Sequence, residues 1–176
     1  YFTCRHGFSV HVLLCSSFSK TMAPGYRVGW IAPGRYMEKV LHQKIVSNIA
    51  TASPTQLAVA EFLENGGYAH HLRTIGKAYA TKVARMAEAI GMYFPSGTRV
   101  TRPRGGFTLW LELSGKIDTL ALYAEAAKKR ITVAPGTLFS TSGRYRNCLR
   151  LNGAFWSEET RWAVKALGKM VHDLAK

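Results

Sequence analysis

Apolar positions recur along this chain with two different periods. Residues 8–15 alternate weakly and predict a strand that ends at the serines that follow. The segment YRVGWIA, residues 26–32, predicts a second strand closed by Pro33 and Gly34. A helix is expected over 35–47. The next helix carries a start signal: Ser53 as N-cap, Pro54 in the first helical position and Gln56 completing a capping box. Gly66 and Gly67 end it. Leu72, Ile75, Tyr79, Val83, Met86 and Ile90 then recur at steps of three and four, one apolar stripe along a long helix.

After Pro95 the period shortens. TRVTRP and GFTLWLEL predict two strands around the turn Pro103-Arg104-Gly105-Gly106, with Phe107, Leu109, Leu111 and Leu113 on one face. A helix is expected over 118–129, and ITVAPG and NCLRLN predict short strands. Ser157, with Glu158 and Glu159, is the expected cap of a final helix whose stripe is Ala163, Leu167, Met170, Val171 and Leu174. Residues 96–176 thus predict a small α+β domain with its own core. Two strands cannot bury their faces alone, so residues 1–52 are expected to be a remnant of a larger α/β domain. Residues 53–95 would be long connecting helices. No internal repeat or low-complexity tract interrupts this order.

Composition adds one departure from the ordinary. Of the 176 residues, 47% are apolar and 19% charged, as in common globular domains. No apolar run approaches the roughly 20 residues that cross a bilayer, so no membrane partner is expected. Cys4, Cys15 and Cys148 are too few and too scattered for a disulfide framework, which favours a reducing, cytoplasmic setting. The net charge, however, is +14. A nucleic-acid partner would explain it. Yet the basic residues are spread along the chain, and the longest run, Lys128-Lys129-Arg130, sits at a predicted helix end where cations are favoured. A solvated basic surface is the simpler reading.

The chemistry concentrates in SSFSKTMAPGYRVGW, residues 16–30. In an extended segment Ser17 and Ser19 point to the same side. Two hydroxyls beside free backbone N–H groups make an anion cradle. Arg27, flanked at i−2 and i+2 by Gly25 and Gly29, has room on its face of the expected strand, and its planar fork matches phosphate oxygens. Lys20 brings an amine that can attack a carbonyl. A phosphate-bearing aldehyde fits both halves of this arrangement.

S-x-S-K followed by P-G-x-R-x-G resembles the Schiff-base lysine motif of class I/II aminotransferases, fold-type I enzymes that use pyridoxal 5′-phosphate (PLP). The segments RGGFTLWLEL, ITVAPGTLFS and NCLRLNGAF resemble successive parts of the same family's C-terminal domain, so the likeness runs from about residue 9 to the end. It implies an α/β fold: the end of the large PLP-binding domain followed by the small α+β domain. It implies that Lys20 forms the Schiff base, and that Ser17, Ser19 and Arg27 hold the cofactor phosphate. It also implies that Arg150 clamps the α-carboxylate of an amino-acid substrate or related small-molecule effector. The wording of the motifs is most like MocR-type regulators, in which a GntR-type winged helix that binds DNA precedes an aminotransferase-like domain. Stand-alone aminotransferases share much of it. The family is dimeric, and the helix from Ser53 onward would lie near the seam.

A working PLP site needs a carboxylate on the pyridine nitrogen. In the family it precedes the lysine, but the first 37 residues here contain no Asp or Glu and no initiating methionine. The expectation is therefore a C-terminal piece of a longer protein that binds PLP weakly or not at all and does not transaminate. Other signals are weaker. Lys20-Thr21 lacks the glycines of a P-loop. His70 and His71 are adjacent and cannot share a helix face as ligands, and His6 and His11 lack metal spacing. Ser9 lacks the G-x-S-x-G elbow. Arg144, Tyr145 and Arg146 form a basic-aromatic cluster that borders a cleft or is plain surface.

Overall fold

The computed structural model describes residues 11–175. Cys4, His6, Ser9 and the first residues of the strand expected over 8–15 lie outside this range. The chain divides into two units, one ending at Arg73 and the other beginning at Thr74, inside a long helix.

The first unit contains an antiparallel ribbon. β1 (Leu14–Ser17) pairs with β2 (Gly29–Ala32) in the register Leu14 to Ala32 and Ser17 to Gly29. The second strand starts three residues later than expected. Pro24–Tyr26 close into a 3-10 turn, and Arg27 adopts a left-handed conformation with φ of 54°, which breaks extended pairing before Gly29. Gly29 itself is required by the ribbon: a Cβ there would come within 2.8 Å of the Ser16 carbonyl oxygen. Two helices follow, α1 (Met37–Asn48) and α2 (Ser53–Glu64). The expected capping box at α2 does not form. Ala52 is the N-cap, and the Gln56 side chain donates instead to the Thr51 carbonyl at 3.1 Å. Pro54 keeps its place in the first turn, where its missing N–H costs nothing.

Of the stripe expected on α3 (Gly67–Tyr93), Val83, Met86 and Ile90 are buried and Ile75 and Tyr79 half-buried, while Leu72 is exposed. The second unit is built on a four-stranded antiparallel sheet of order β3-β4-β6-β5. Its strands are β3 (Arg99–Val100), β4 (Thr108–Glu112), β5 (Ala134–Pro135) and β6 (Cys148–Asn152). The period of two decides the faces. Leu109 and Leu111 of β4 and Leu149 and Leu151 of β6 turn inward and are buried. They meet Val83, Met86 and Ile90 of α3, Leu122 and Ala126 of α4 (Thr119–Lys128), and Val164, Leu167 and Val171 of α5 (Arg161–Leu174) in one core. β5 is shorter than the segment 131–136 predicts. Pro135 has no N–H to donate, and the strand is confined to the sheet edge. The last cap also differs in detail. Ser157 is the cap, with Glu158 and Glu159 in the first turn, but it caps a 3-10 turn that leads into α5 and forms a reciprocal box with Thr160. Among the described residues no helix is long and apolar enough to cross a membrane.

Candidate functional site

Lys20 ends a 3-10 turn, Phe18–Lys20, that follows directly from β1. Ser17 caps this turn. Its Oγ accepts the Ser19 backbone N–H at 3.1 Å, which satisfies one donor that the turn leaves open. Ser19 is therefore not in an extended segment, and the same-side alternation expected for Ser17 and Ser19 does not apply. What brings polar groups together is the turn and its partner. Arg27 Nη1 donates to Ser19 Oγ at 3.4 Å and to the Pro24 carbonyl at 3.5 Å. A left-handed arginine is a backbone state that L side chains adopt at a cost of about 1–2 kcal/mol. Here that state turns the side chain back across the loop to Ser19.

The turn is anchored from behind. Tyr68, in the first turn of α3, donates its hydroxyl to Thr21 Oγ1 at 3.0 Å, and its ring meets the Phe18 ring edge-on at 5.9 Å. Phe62 continues this aromatic group. Tyr68 and Thr21 flank the lysine structurally, yet sequence spacing alone does not reveal them, since 47 residues separate the two. Lys20 is exposed and makes no hydrogen bond or ion pair among the described residues. Arg27, with Trp30, Lys44 and Gln56, also lines an open groove of about 730 Å³ that Lys20 does not border.

Arg150 lies in the second unit, in the middle of β6. Leu149 and Leu151 are buried, so Arg150 stands on the opposite, exposed face, as alternation predicts. It pairs in register with Trp110 of β4 on one side and Ala134 of β5 on the other. Its guanidinium sits over the Phe139 ring, 4.8 Å from the centroid. Trp110 meets Phe139 edge-on at 5.5 Å and Tyr145 at 5.6 Å, and Arg144 stacks over Tyr145. Glu112, the acid nearest along the same face of β4, is taken by Arg99. Arg150 has no acidic partner among the described residues. The aromatic surround was missed from sequence, although Trp110 between Leu109 and Leu111 carries the same alternation signal that places Arg150.

The donor sets suit particular groups. A hydroxyl and a guanidinium 3.4 Å apart match phosphate oxygens, and the adjacent lysine matches an aldehyde. The guanidinium of Arg150, which has no acidic partner among the described residues, matches a carboxylate. Among the described residues no cluster of His, Cys, Asp and Glu could hold a metal ion.

Comparison with known proteins decides the lineage. The model of aminotransferase class I and II matches residues 5–167. The chain belongs to the class I and II aminotransferase family. Within that family it is 45% identical over 162 residues to the HTH-type transcriptional regulator YjiR of Escherichia coli K12, covering 92% of this chain and 34% of that protein. It is 37% identical to a second E. coli HTH-type regulator, YdcR, covering 92% and 35%. The chain thus spans about a third of the length of the curated relatives it matches. Among solved structures it superposes on LysN, the α-aminoadipate aminotransferase of Thermus thermophilus, crystallised with N-(5′-phosphopyridoxyl)-L-leucine. The TM-score is 0.86 at 28% identity, over 93% of this chain and 42% of that one. The mixed helix and sheet of this chain is thus part of the PLP-dependent transferase fold.

Proposed function

We propose that this chain is the aminotransferase-like part of a GntR/MocR-type transcriptional regulator that binds PLP and senses an amino acid or related small molecule. The observation that carries the reading is the 45% identity to an HTH-type regulator, spread over 92% of the chain. In this reading Lys20 presents its ε-amine to the cofactor aldehyde. Ser17, Ser19 and Arg27 hold the phosphate; Ser19 and Arg27 are already in contact, and Ser17 also caps the turn that carries Ser19. Arg150 receives the carboxylate of the effector. Bound PLP would supply an aldehyde conjugated to an electron-withdrawing ring. The whole protein would act in the cytoplasm as a homodimer and contact DNA through a winged-helix domain ahead of this segment.

A stand-alone PLP-dependent aminotransferase is the second reading, favoured by the superposition on LysN. There the same residues would serve catalysis, with Lys20 moving the substrate α-proton and Arg150 holding the substrate. The coding sequence ahead of Tyr1 separates the two readings. A winged helix-turn-helix supports the regulator, and the N-terminal half of an aminotransferase without one overturns it.

The lysine assignment has its own test. The full-length protein that carries this chain is incubated with PLP, reduced with borohydride and mapped by peptide mass. Labelling concentrated on Lys20, and lowered by Arg27→Met and Ser19→Ala, supports the site. Labelling spread evenly over the lysines overturns it.

A further inference from the structure

We infer that Phe139 is a positioning residue for Arg150: its ring holds the guanidinium in place to take a carboxylate. The inference rests on the reading of Arg150 as the carboxylate receptor and adds the group that orients it. An arginine on an exposed strand face has four rotatable bonds and about 2 kcal/mol of rotamer entropy to lose on binding. Bidentate recognition requires the fork and the carboxylate to be coplanar. The Phe139 ring centroid lies 4.8 Å from the guanidinium carbon, close enough to hold the cation beside it by cation–π attraction and narrow the positions the fork can take.

Phe139 is itself braced. Trp110 meets it edge-on at 5.5 Å, and Trp110 is the residue directly opposite Arg150 in the β4–β6 register. Tyr145 meets Trp110 at 5.6 Å and 90°. The backbone delivers Phe139 to this place. It ends the 3-10 turn Gly136–Phe139, and Gly136 packs so tightly that a Cβ would lie 2.3 Å from the Tyr145 carbonyl oxygen and 2.8 Å from that of Cys148. Only glycine lets the turn descend onto the sheet there. The one acid on the same face of β4, Glu112, is held by Arg99 and does not compete for the fork.

The test uses the full 176-residue chain labelled with nitrogen-15, and sodium isovalerate as the carboxylate probe, because NMR reads weak binding. The Arg150 Nε–Hε resonance, assigned with Arg150→Lys, should shift saturably on titration. Phe139→Leu, which keeps an apolar side chain and removes the ring, should weaken the apparent Kd about 2- to 5-fold, the range for an exposed cation–π contact. Phe139→Tyr should restore it. The Arg144 resonance, whose ring partner is Tyr145, should not respond to either change. Unchanged affinity in Phe139→Leu, or equal loss in Phe139→Leu and Phe139→Tyr, overturns the positioning role while leaving the carboxylate reading in place. No saturable shift at Arg150 in the wild-type chain overturns both.

Discussion

Gly168 of α5 lies against the backbone of Tyr93, the last residue of α3, so closely that a β-carbon at 168 would stand 2.2 Å from the Tyr93 carbonyl oxygen. The clash is with main chain, which cannot swing aside as a side-chain tip can. In a helix, alanine is preferred over glycine by about 1 kcal/mol. Here overpacking, typically about 1–3 kcal/mol and more against backbone, outweighs that gain. Gly168→Ala should lower the denaturation midpoint in urea. Gly76→Ala on α3, where a Cβ meets nothing within 4 Å, should raise it. If both variants move the same way, the close approach is not what requires glycine at 168.

Asp118 serves α4 twice. Its carboxylate accepts the Leu120 N–H at 2.9 Å as N-cap, and Arg146 donates to it at 3.0 Å. The Arg146 hydrogen bond, then the one from Leu120, lowers its pKa below the ordinary aspartate value. A lowered folded-state pKa contributes stability that is fully present above the unfolded value of about 3.9 and is lost as pH falls through the folded one. The side chain is 37% exposed, so the ion pair is screened and the cap dominates. Asp118→Ala should cost about 1 kcal/mol at pH 7. Asp118→Asn, which can still cap, should cost less, and the gap between wild type and Asp118→Asn should close as the solution is acidified below about pH 4. Denaturant midpoints across pH 3–7 read this directly.

The two described cysteines should differ in reactivity. Cys148 is buried, and burial, with the charge of Glu112 behind it, raises its thiol pKa. Cys15 is exposed on β1. The thiolate is the nucleophile, so iodoacetamide at pH 8 should modify Cys15 at least about ten times faster than Cys148, as mapped by peptide mass. In guanidinium chloride the two rates should converge. Equal rates in the native protein would show that β6 opens on the time scale of the reaction.

Tyr68 ties the Lys20 turn to α3 through Thr21. Tyr68→Phe keeps the ring against Phe18 and removes only the hydroxyl. The expected cost is about 0.5–1.5 kcal/mol. More tellingly, with the turn loosened, PLP and borohydride should label Lys20 less selectively over the other lysines. Unaltered selectivity would mean that the turn keeps its shape without this bond.

Much of the second unit was legible in the sequence, because there local pattern and burial agree. Leu109, Leu111, Leu149 and Leu151 alternate in the chain and in space, and Arg150 between two buried leucines had one direction left. The first unit was read less well at the level of geometry. YRVGWIA scans as one strand, but the prolyl turn before it and the left-handed Arg27 move its start to Gly29, a backbone event that side-chain periodicity does not encode. Ser53 and Gln56 have the spacing of a capping box, yet Gln56 finds the Thr51 carbonyl instead. The motif pointed to Ser19, Lys20 and Arg27 before any distance was known. The contact between Ser19 and Arg27 exists for a reason other than the alternation first invoked. Phe139 and Trp110 were invisible as neighbours of Arg150, since 11 and 40 residues of chain separate them from it.

The ribbon of β1 and β2 is exposed along its whole length on both strands. Among the described residues of the first unit only Val28, Pro33 and Val59 are buried. Within these residues taken by themselves, a pair of strands so thinly covered has little free energy of its own to resist fraying, whereas β4 and β6 share a packed core. The lysine turn grows out of the yielding element and the arginine fork out of the rigid one. A ligand that grips the turn therefore has an ordering cost to meet there, and its occupancy can be read out as stiffening of the segment that holds it.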